Sequence, residues 1–175
     1  MRKISLLLLL FVFAGTLQAQ NAQVAKIRKM YAQAKETMAQ KKKAELPPDE
    51  TVVTSNYMAA GAGPVKDVTR YYYSGDYDED LGREAYEVYF MVRKYNVGAV
   101  DYYQEFLFDE EGDLAFYYEK NEGNETRFYF SKNGDGDEGL VHEINSSSRT
   151  IEPPFALRIA HELGNAFHLL MNREF

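Results

Sequence analysis

The chain has 175 residues and a formal net charge of −7. Because it has no cysteine, disulfide-stabilised scaffolds and cysteine nucleophiles are excluded. Residues 20–45 carry seven Lys or Arg and two Glu, whereas residues 46–175 carry 11 basic and 25 acidic side chains. Because an acidic body repels nucleic acids and anionic membranes, neither is expected as a partner.

The first nineteen residues have the pattern of a bacterial signal peptide. Arg2 and Lys3 precede an apolar run at residues 6–14, and small or uncharged residues surround Ala19. This pattern predicts cleavage after Ala19 and export to the periplasm or beyond, which leaves 156 residues and no membrane anchor. An uncleaved anchor helix is the alternative. The mature length suits a single domain with one core.

Residues 21–45 have a helical pattern. Apolar side chains recur at alternating steps of three and four residues, at Val24, Ile27, Tyr31, Ala34 and Met38. Three lysines at residues 41–43 complement the dipole at the end of the helix, and Pro47 and Pro48 prevent it from continuing. The stripe predicts an amphipathic helix with one buried side. A coiled-coil partner is the alternative, although the pattern covers only about two heptads.

Seven strand-like segments follow, separated by short connections rich in Gly, Asn and Asp. They cover residues 51–58, 67–73, 84–95, 100–108, 113–120, 126–132 and 140–144. Because such short connections cannot hold parallel crossovers, residues 51–145 are expected to form an antiparallel meander of six or seven strands. A second helix is predicted at residues 154–172. The sequence therefore predicts one α+β domain over residues 20–175, with helices covering one sheet face.

Strand alternation predicts one apolar face and one polar face. The apolar face is expected to contain Val88, Phe90, Val92, Phe106, Leu114, Phe116, Phe128 and Phe130. Tyrosines mixed with charged residues are expected on the opposite, exposed face. Tyrosine offers a large contact area and a hydroxyl, so this face is the predicted partner-binding site, formed by Tyr89, Tyr103, Tyr117, Tyr129, Arg93 and Glu105. Cross-strand tyrosine pairs that only stabilise the sheet are the alternative.

The stretch DYDEDLGREAYE at residues 76–87 has carboxylates at the spacing of a calcium loop. Asp76, Asp78, Asp80 and Glu87 occupy positions 1, 3, 5 and 12 of that pattern. Leu81 stands where the turn requires glycine, and the flanks are typical of strands instead of helices. A second, poorer match lies at residues 133–139. The alternative to a calcium site is a solvated acidic hairpin end.

The second helix contains HELGN, one residue from the zinc-protease signature HELGH. Asn165 replaces the second histidine, and His168 lies about 10.5 Å along the axis from His161, too far for both to bind one zinc. The sequence also has no nucleophile elbow and no Gly-rich phosphate loop at the start of a helix. An ordinary amphipathic helix is therefore expected.

These features together predict an exported binding protein without enzymatic activity or a cofactor. The expected partner is a protein or a glycan at the cell envelope. A basic protein would complement the acidic body, as for an exported inhibitor or immunity-type protein. Two alternatives stay open: a module that binds calcium or is stabilised by it, and a hydrolase that uses carboxylates.

Overall fold

The computed structural model describes residues 2–43, 49–79, 82–132, 138–145 and 151–171, with side chains from Gln20 onward except at positions 78, 138 and 145. The predicted α+β fold is confirmed. In chain order the elements are α1 (Arg2–Lys43), β1 (Glu50–Ala59), β2 (Gly63–Asp78), β3 (Arg83–Val97), β4 (Val100–Phe108), β5 (Leu114–Asn121), β6 (Asn124–Lys132), β7 (Glu138–Asn145) and α2 (Pro153–Met171).

Helix α1 begins earlier than the apolar stripe predicts, at Arg2 instead of Asn21. The predicted signal peptide falls within this first part of α1, where only the backbone is described. The three lysines expected near the end of the helix do form its last turn. Within the described part of the chain, no helix has the length and apolar character needed to cross a membrane.

The seven strands form one antiparallel sheet in which each strand pairs with the next along the chain. Short turns make this meander possible because they reverse the chain within a few residues. The turn between β5 and β6 contains Glu122 and Gly123, whose φ angles are 39° and 86°. Two consecutive positive values are what a tight two-residue hairpin turn requires.

Each face of the sheet is partly covered, one by each helix. Helix α1 packs on the face that carries Phe90, Leu107 and Phe116, called here the α1 face. Helix α2 packs on the opposite face, the α2 face, where Phe167 stacks on Tyr71 with ring centroids 5.3 Å apart. The expectation that the helices cover one face and leave the other exposed is therefore wrong.

Two of the three β-bulges in the sheet explain why neighbouring residues of the predicted apolar face lie on opposite sides. Tyr89 is an extra residue in β3, between Val88 and Phe90, so Val88 faces α2 while Phe90 faces α1. Ala115 has the same effect in β5, where Leu114 faces α2 and Phe116 faces α1. The third bulge lies at Val141 in β7. Each extra residue reverses the alternation on which the prediction depended.

Candidate functional site

Three rows of cross-strand neighbours run over β3, β4, β5 and β6 on the α1 face. The apolar row, under the helix, consists of Phe90, Leu107, Phe116 and Tyr129. The boundary row, beside it, consists of Val92, Glu105, Tyr118 and Arg127. The outer row consists of Lys94, Tyr103, Lys120 and Glu125. The number of charged side chains in a row therefore increases with distance from α1.

Helix α1 contacts the boundary row through two residues one turn apart. The Tyr31 ring lies between Phe90 and Phe116, with centroids 5.9 and 5.1 Å away, which fixes its position on the apolar row. Its hydroxyl donates a hydrogen bond to Glu105 Oε2 at 2.5 Å. Lys35 Nζ lies 2.7 Å from Glu105 Oε1. This spacing of four residues aims both donors at one carboxylate.

The Glu105 side chain is only 3% exposed and has a third donor, the Tyr103 hydroxyl of the outer row. Burial, and then the hydrogen bond to Glu105, raises the pKa of Tyr31 and of Tyr103 well above the usual value. Both hydroxyls therefore stay protonated at neutral pH and act as fixed donors. The result is a rigid joint between the helix and the outer row of the sheet.

A groove of about 360 Å³ lies between α1 and the boundary row, and we call it the inner groove. Its lining consists of Ile27, Arg28, Tyr31, Glu105, Phe116, Tyr118, Arg127 and Tyr129. The Arg28 guanidinium lies 5.6 Å from the Tyr129 ring centroid, and that of Arg127 lies 5.0 Å from the Tyr118 ring. Two cations on aromatic supports therefore stand at the walls of this groove, and one of them, Arg127, is also paired with Glu125 of the outer row, with Nη2 2.7 Å from Oε2.

A second groove of about 560 Å³, the outer groove, adjoins the outer row where the strands end. Its lining consists of Lys66, Val68, Lys94, Tyr95, Asn96, Asp101, Tyr102, Tyr103, Lys120, Asn121 and Glu122. Three of these side chains are exposed lysines, and Lys94 lies 5.5 Å from the Tyr103 ring centroid. Because Tyr103 lines this groove and bonds to Glu105 of the inner one, the two grooves are neighbours.

Acidic residues concentrate at the other end of the strands. A groove of about 370 Å³ there is lined by Glu87, Asp109, Glu110 and Glu111 together with Ser74, Tyr89 and His168. At the same end Lys132 Nζ lies 2.6 Å from Glu111 Oε2. The acidic charge of the body is therefore not uniform, since the outer groove carries three lysines against two carboxylates.

The six predicted partner-binding residues do not share one exposed face, so that part of the prediction is wrong. Tyr89, Tyr103, Tyr129 and Glu105 belong to the α1 face, whereas Tyr117 and Arg93 belong to the α2 face. Tyr117, Tyr129 and Glu105 are buried. Tyr89 and Tyr103 are half-buried. Of the six, Tyr103 lines the outer groove, and Glu105 and Tyr129 line the inner groove.

Arg93 and Tyr117 belong instead to a buried polar network on the α2 face. Its centre is Glu119, 3% exposed, which accepts hydrogen bonds from Tyr117 Oη at 2.7 Å, Gln104 Nε2 at 2.8 Å and Asn121 Nδ2 at 3.1 Å. Burial, and then the charge of Glu119, raises the pKa of Tyr117 well above its usual value. This carboxyl group is satisfied within the protein.

Arg93 extends this network toward the edge of the sheet. Its guanidinium donates from Nε to Asp67 Oδ1 at 3.1 Å and from Nη2 to Asp67 Oδ2 at 2.5 Å, and lies 4.4 Å from the Tyr95 ring centroid. Nη1 reaches Gln104 Oε1 at 3.5 Å. A bidentate ion pair stacked on a ring is a rigid arrangement. It positions the strand ends instead of offering a free cation.

The predicted calcium residues lie on the β2–β3 hairpin. Strands continue to Asp78 and resume at Arg83, so a four-residue connection replaces the expected twelve-residue loop. Asp76 pairs with Ala85 and Ser74 with Glu87, which places Asp76 and Glu87 on one side of the hairpin. The side chain of Asp78 and all of Asp80 lie outside the described residues, as do residues 133–137 of the second match at 133–139. The calcium site stays a prediction.

The HELGN stretch lies on α2, where His161, Asn165 and His168 are exposed. All three line a small groove of about 90 Å³ beside Gly164. Among the described residues, no group of three or more His, Asp or Glu side chains lies close enough to hold a metal ion. The buried side chains of this helix are Ala156, Ile159, Ala160 and Phe167, which lie on one side of the helix as expected for an amphipathic helix.

The sequence prediction missed the cationic residues that line the two grooves, and also Lys35, which lines neither groove but pairs with Glu105. Arg28 follows Ile27 of the helical stripe, and Lys35 follows Ala34, so both stand at the border of the face that the stripe buries. That pattern indicates side chains able to reach the sheet beside the helix. Lys94, Lys120 and Arg127 lie on three different strands, and only the strand register places them together.

Comparison of the chain with protein-family models, with curated proteins and with solved structures finds no match.

Proposed function

We propose that this protein is an exported binding protein, without enzymatic activity, that holds an acidic glycan of the cell envelope in the outer and inner grooves. One observation carries the proposal: two adjoining grooves on the α1 face combine tyrosine side chains with Lys66, Lys94, Lys120, Arg28 and Arg127. The signal sequence supports the envelope as the place of action.

The dimensions of the grooves favour a ligand of oligosaccharide size. Volumes of about 560 and 360 Å³ lie within the range of small-ligand sites. The two grooves are open and adjoin at Tyr103, which suits an extended chain better than a compact molecule. Tyrosine rings offer flat apolar surfaces beside hydroxyl groups, which match the alternating apolar and polar faces of sugars.

The charges of the grooves favour an anionic ligand. Lys66, Lys94 and Lys120 are exposed, as is Arg28 at the inner groove. Arginine and lysine side chains make strong, charge-assisted hydrogen bonds to carboxylate, sulfate or phosphate groups. The negative charge of the rest of the body would repel an anion elsewhere, so electrostatics concentrates it at this end of the sheet.

The Glu105 joint supports this role because it fixes the floor between the grooves. Tyr31, Lys35 and Tyr103 all bond to one buried carboxylate, so the tyrosine rings are held before the ligand arrives. Fixed side chains lose little conformational entropy on binding. Glu105 is therefore a positioning residue in this proposal and does not itself contact the ligand.

Affinity capture from an envelope extract tests the proposal. The immobilised protein should retain carbohydrate rich in acidic sugars, and the double variant Lys94→Ala/Lys120→Ala should retain at least tenfold less. The matched control is Lys26→Ala/Lys29→Ala, which removes two exposed α1 lysines that line neither groove. Retention of a basic protein, equal for both double variants and without acidic carbohydrate, would instead support a protein partner at the acidic end.

A further inference from the structure

The free edge of β1 is an unusual feature of the sheet. Strand β1 is ten residues long and, within the described part of the chain, pairs only with β2, through an unbroken register from Glu50 opposite Tyr72 to Ala59 opposite Gly63. Every side chain from Thr54 to Met58 is exposed. The backbone groups on the outer side of this strand have the geometry to pair with one more strand.

This edge has few of the features that usually prevent strand pairing. Its sequence ETVVTSNYMA contains no Lys, Arg or Pro, and its pairing with β2 has no bulge. The one charged residue, Glu50, bonds to Arg70 of β2. The opposite edge differs, because β7 has a bulge at Val141 and Gln20 Nε2 of α1 donates to the Val141 carbonyl oxygen at 3.1 Å.

We infer that β1 pairs with β1 of a second copy in an antiparallel arrangement whose twofold axis passes through Ser55. A twofold axis perpendicular to the sheet keeps each face on its own side. Two residues that pair must therefore both have even numbers or both have odd numbers, because alternate residues of a strand point to opposite faces. Centring on Ser55 places Val52 opposite Met58 of the second copy on the α1 face. It places Val53 opposite Tyr57 on the α2 face, and Thr54 opposite Asn56.

The pairing is complementary in both polarity and charge. Val52, Tyr57 and Met58 are 45%, 47% and 75% exposed in the single chain, and each would gain an apolar neighbour. At the centre of the proposed pairing, the polar side chains of Thr54 and Asn56 are opposite each other. Glu50 falls beyond Ala59 of the second copy, so no two charged side chains of the strands are opposed. The occupant that best fits this edge is therefore the same strand, and the result is a continuous sheet of fourteen strands.

Sedimentation velocity of the purified exported protein between about 1 and 100 µM tests this inference, which does not depend on the ligand. A dimer should form within this range, and Met58→Lys should weaken it at least tenfold because lysine on an edge opposes pairing. The matched control, Leu169→Lys, changes an exposed apolar residue on α2 and should leave dimerisation unchanged. A monomer at 100 µM would overturn the inference.

Cysteine cross-linking tests the register, because the chain has no cysteine of its own. Ser55→Cys places two thiols on the twofold axis, where opposed strand residues are close enough for a disulfide. Met58→Cys is the control, since its two copies would lie six residues apart along the strands, about 20 Å. Rapid cross-linking of Ser55→Cys alone supports the arrangement. Equal or faster cross-linking of Met58→Cys would overturn it.

Discussion

Glu105 and Glu119 show how two buried carboxyl groups in one sheet differ in their surroundings. Each is 3% exposed, and each accepts a hydrogen bond from a tyrosine hydroxyl. Glu105 lies on the α1 face, where its partner Lys35 is 42% exposed and two grooves are close. Glu119 lies on the α2 face with Gln104 and Tyr117, both fully buried.

The comparison teaches that burial of a carboxyl group does not identify a functional site. Tyr117 and Asn121 donate to Glu119 from its own strand β5, and Gln104 donates from β4, so these bonds end inside the protein and tie two strands together. The bonds of Glu105 connect a helix to side chains that line open grooves. The first arrangement has a structural role, whereas the second also positions residues that line grooves open to solvent.

Replacement of Glu119 should have the largest effect on stability. Glu119→Ala leaves the donors of Tyr117, Gln104 and Asn121 without this acceptor in a buried place, so we expect a loss of about 3 kcal/mol or more in the free energy of unfolding. Urea denaturation measures this loss. Glu36→Ala, on the exposed side of α1, is the control and should stay within about 0.5 kcal/mol of the parent. A loss under about 1 kcal/mol for Glu119→Ala would contradict a structural role.

Replacement of Glu105 should cost less stability than replacement of Glu119 and should have a larger effect on ligand binding. In Glu105→Ala the Lys35 ammonium can be hydrated and the half-buried Tyr31 and Tyr103 hydroxyls can turn toward the grooves, so we expect a loss of about 1 to 2 kcal/mol. The same denaturation series gives the value. A loss equal to that of Glu119→Ala would remove the distinction between the two sites.

Alkaline pH should destabilise the protein through the tyrosines of both networks. The pKa of Tyr103, like that of Tyr117, is raised by burial above the value of about 10 expected in the unfolded chain. Between about pH 10 and the folded pKa, the folded state retains protons that the unfolded state releases. The contribution of these tyrosines to stability should therefore be constant below about pH 10 and fall above it.

Melting temperatures from pH 8 to 11.5 measure this effect, and phenylalanine variants assign it. Tyr103→Phe and Tyr117→Phe should each reduce the alkaline fall, because each removes one group with a raised pKa. Tyr77→Phe, which changes an exposed tyrosine, is the control and should keep the parent profile. Identical profiles for all three variants would show that neither network causes the loss.

A third group of carboxylates, at the β2–β3 hairpin, should have the smallest effect. Asp76 and Glu87 are exposed, so Asp76→Ala should change the free energy of unfolding by less than about 0.5 kcal/mol. We also expect equal melting temperatures in EDTA and in millimolar calcium. A rise of several degrees in calcium that disappears in Asp78→Ala would instead establish the calcium site.

The strands were predictable from the sequence, and their faces were not. Short connections rich in Gly, Asn and Asp separate the strands, and β4 has the predicted bounds Val100–Phe108. The bulges at Tyr89, Ala115 and Val141 have no comparable signal, because each is an ordinary strand residue. One extra residue reverses all later side chains in a strand, so the predicted single face became two.

The groove residues were only partly predictable for a related reason. Tyr31 was placed correctly on the buried stripe of α1, since its spacing from Ile27 and Ala34 is helical. Its bond to Glu105, however, depends on where the helix crosses the sheet. The net charge was misleading in the same way, because it cannot show that three lysines gather in one groove of an acidic protein.

The most direct test of the proposed function is calorimetric titration with hexagalacturonate, an acidic hexasaccharide, and with the neutral maltohexaose. The parent protein should bind hexagalacturonate, with an affinity that falls as salt rises, and should bind maltohexaose at least tenfold more weakly. Lys94→Ala/Lys120→Ala should lose at least tenfold in affinity for the acidic sugar, whereas Lys26→Ala/Lys29→Ala should not. No binding of hexagalacturonate, or equal binding by both double variants, would contradict the account.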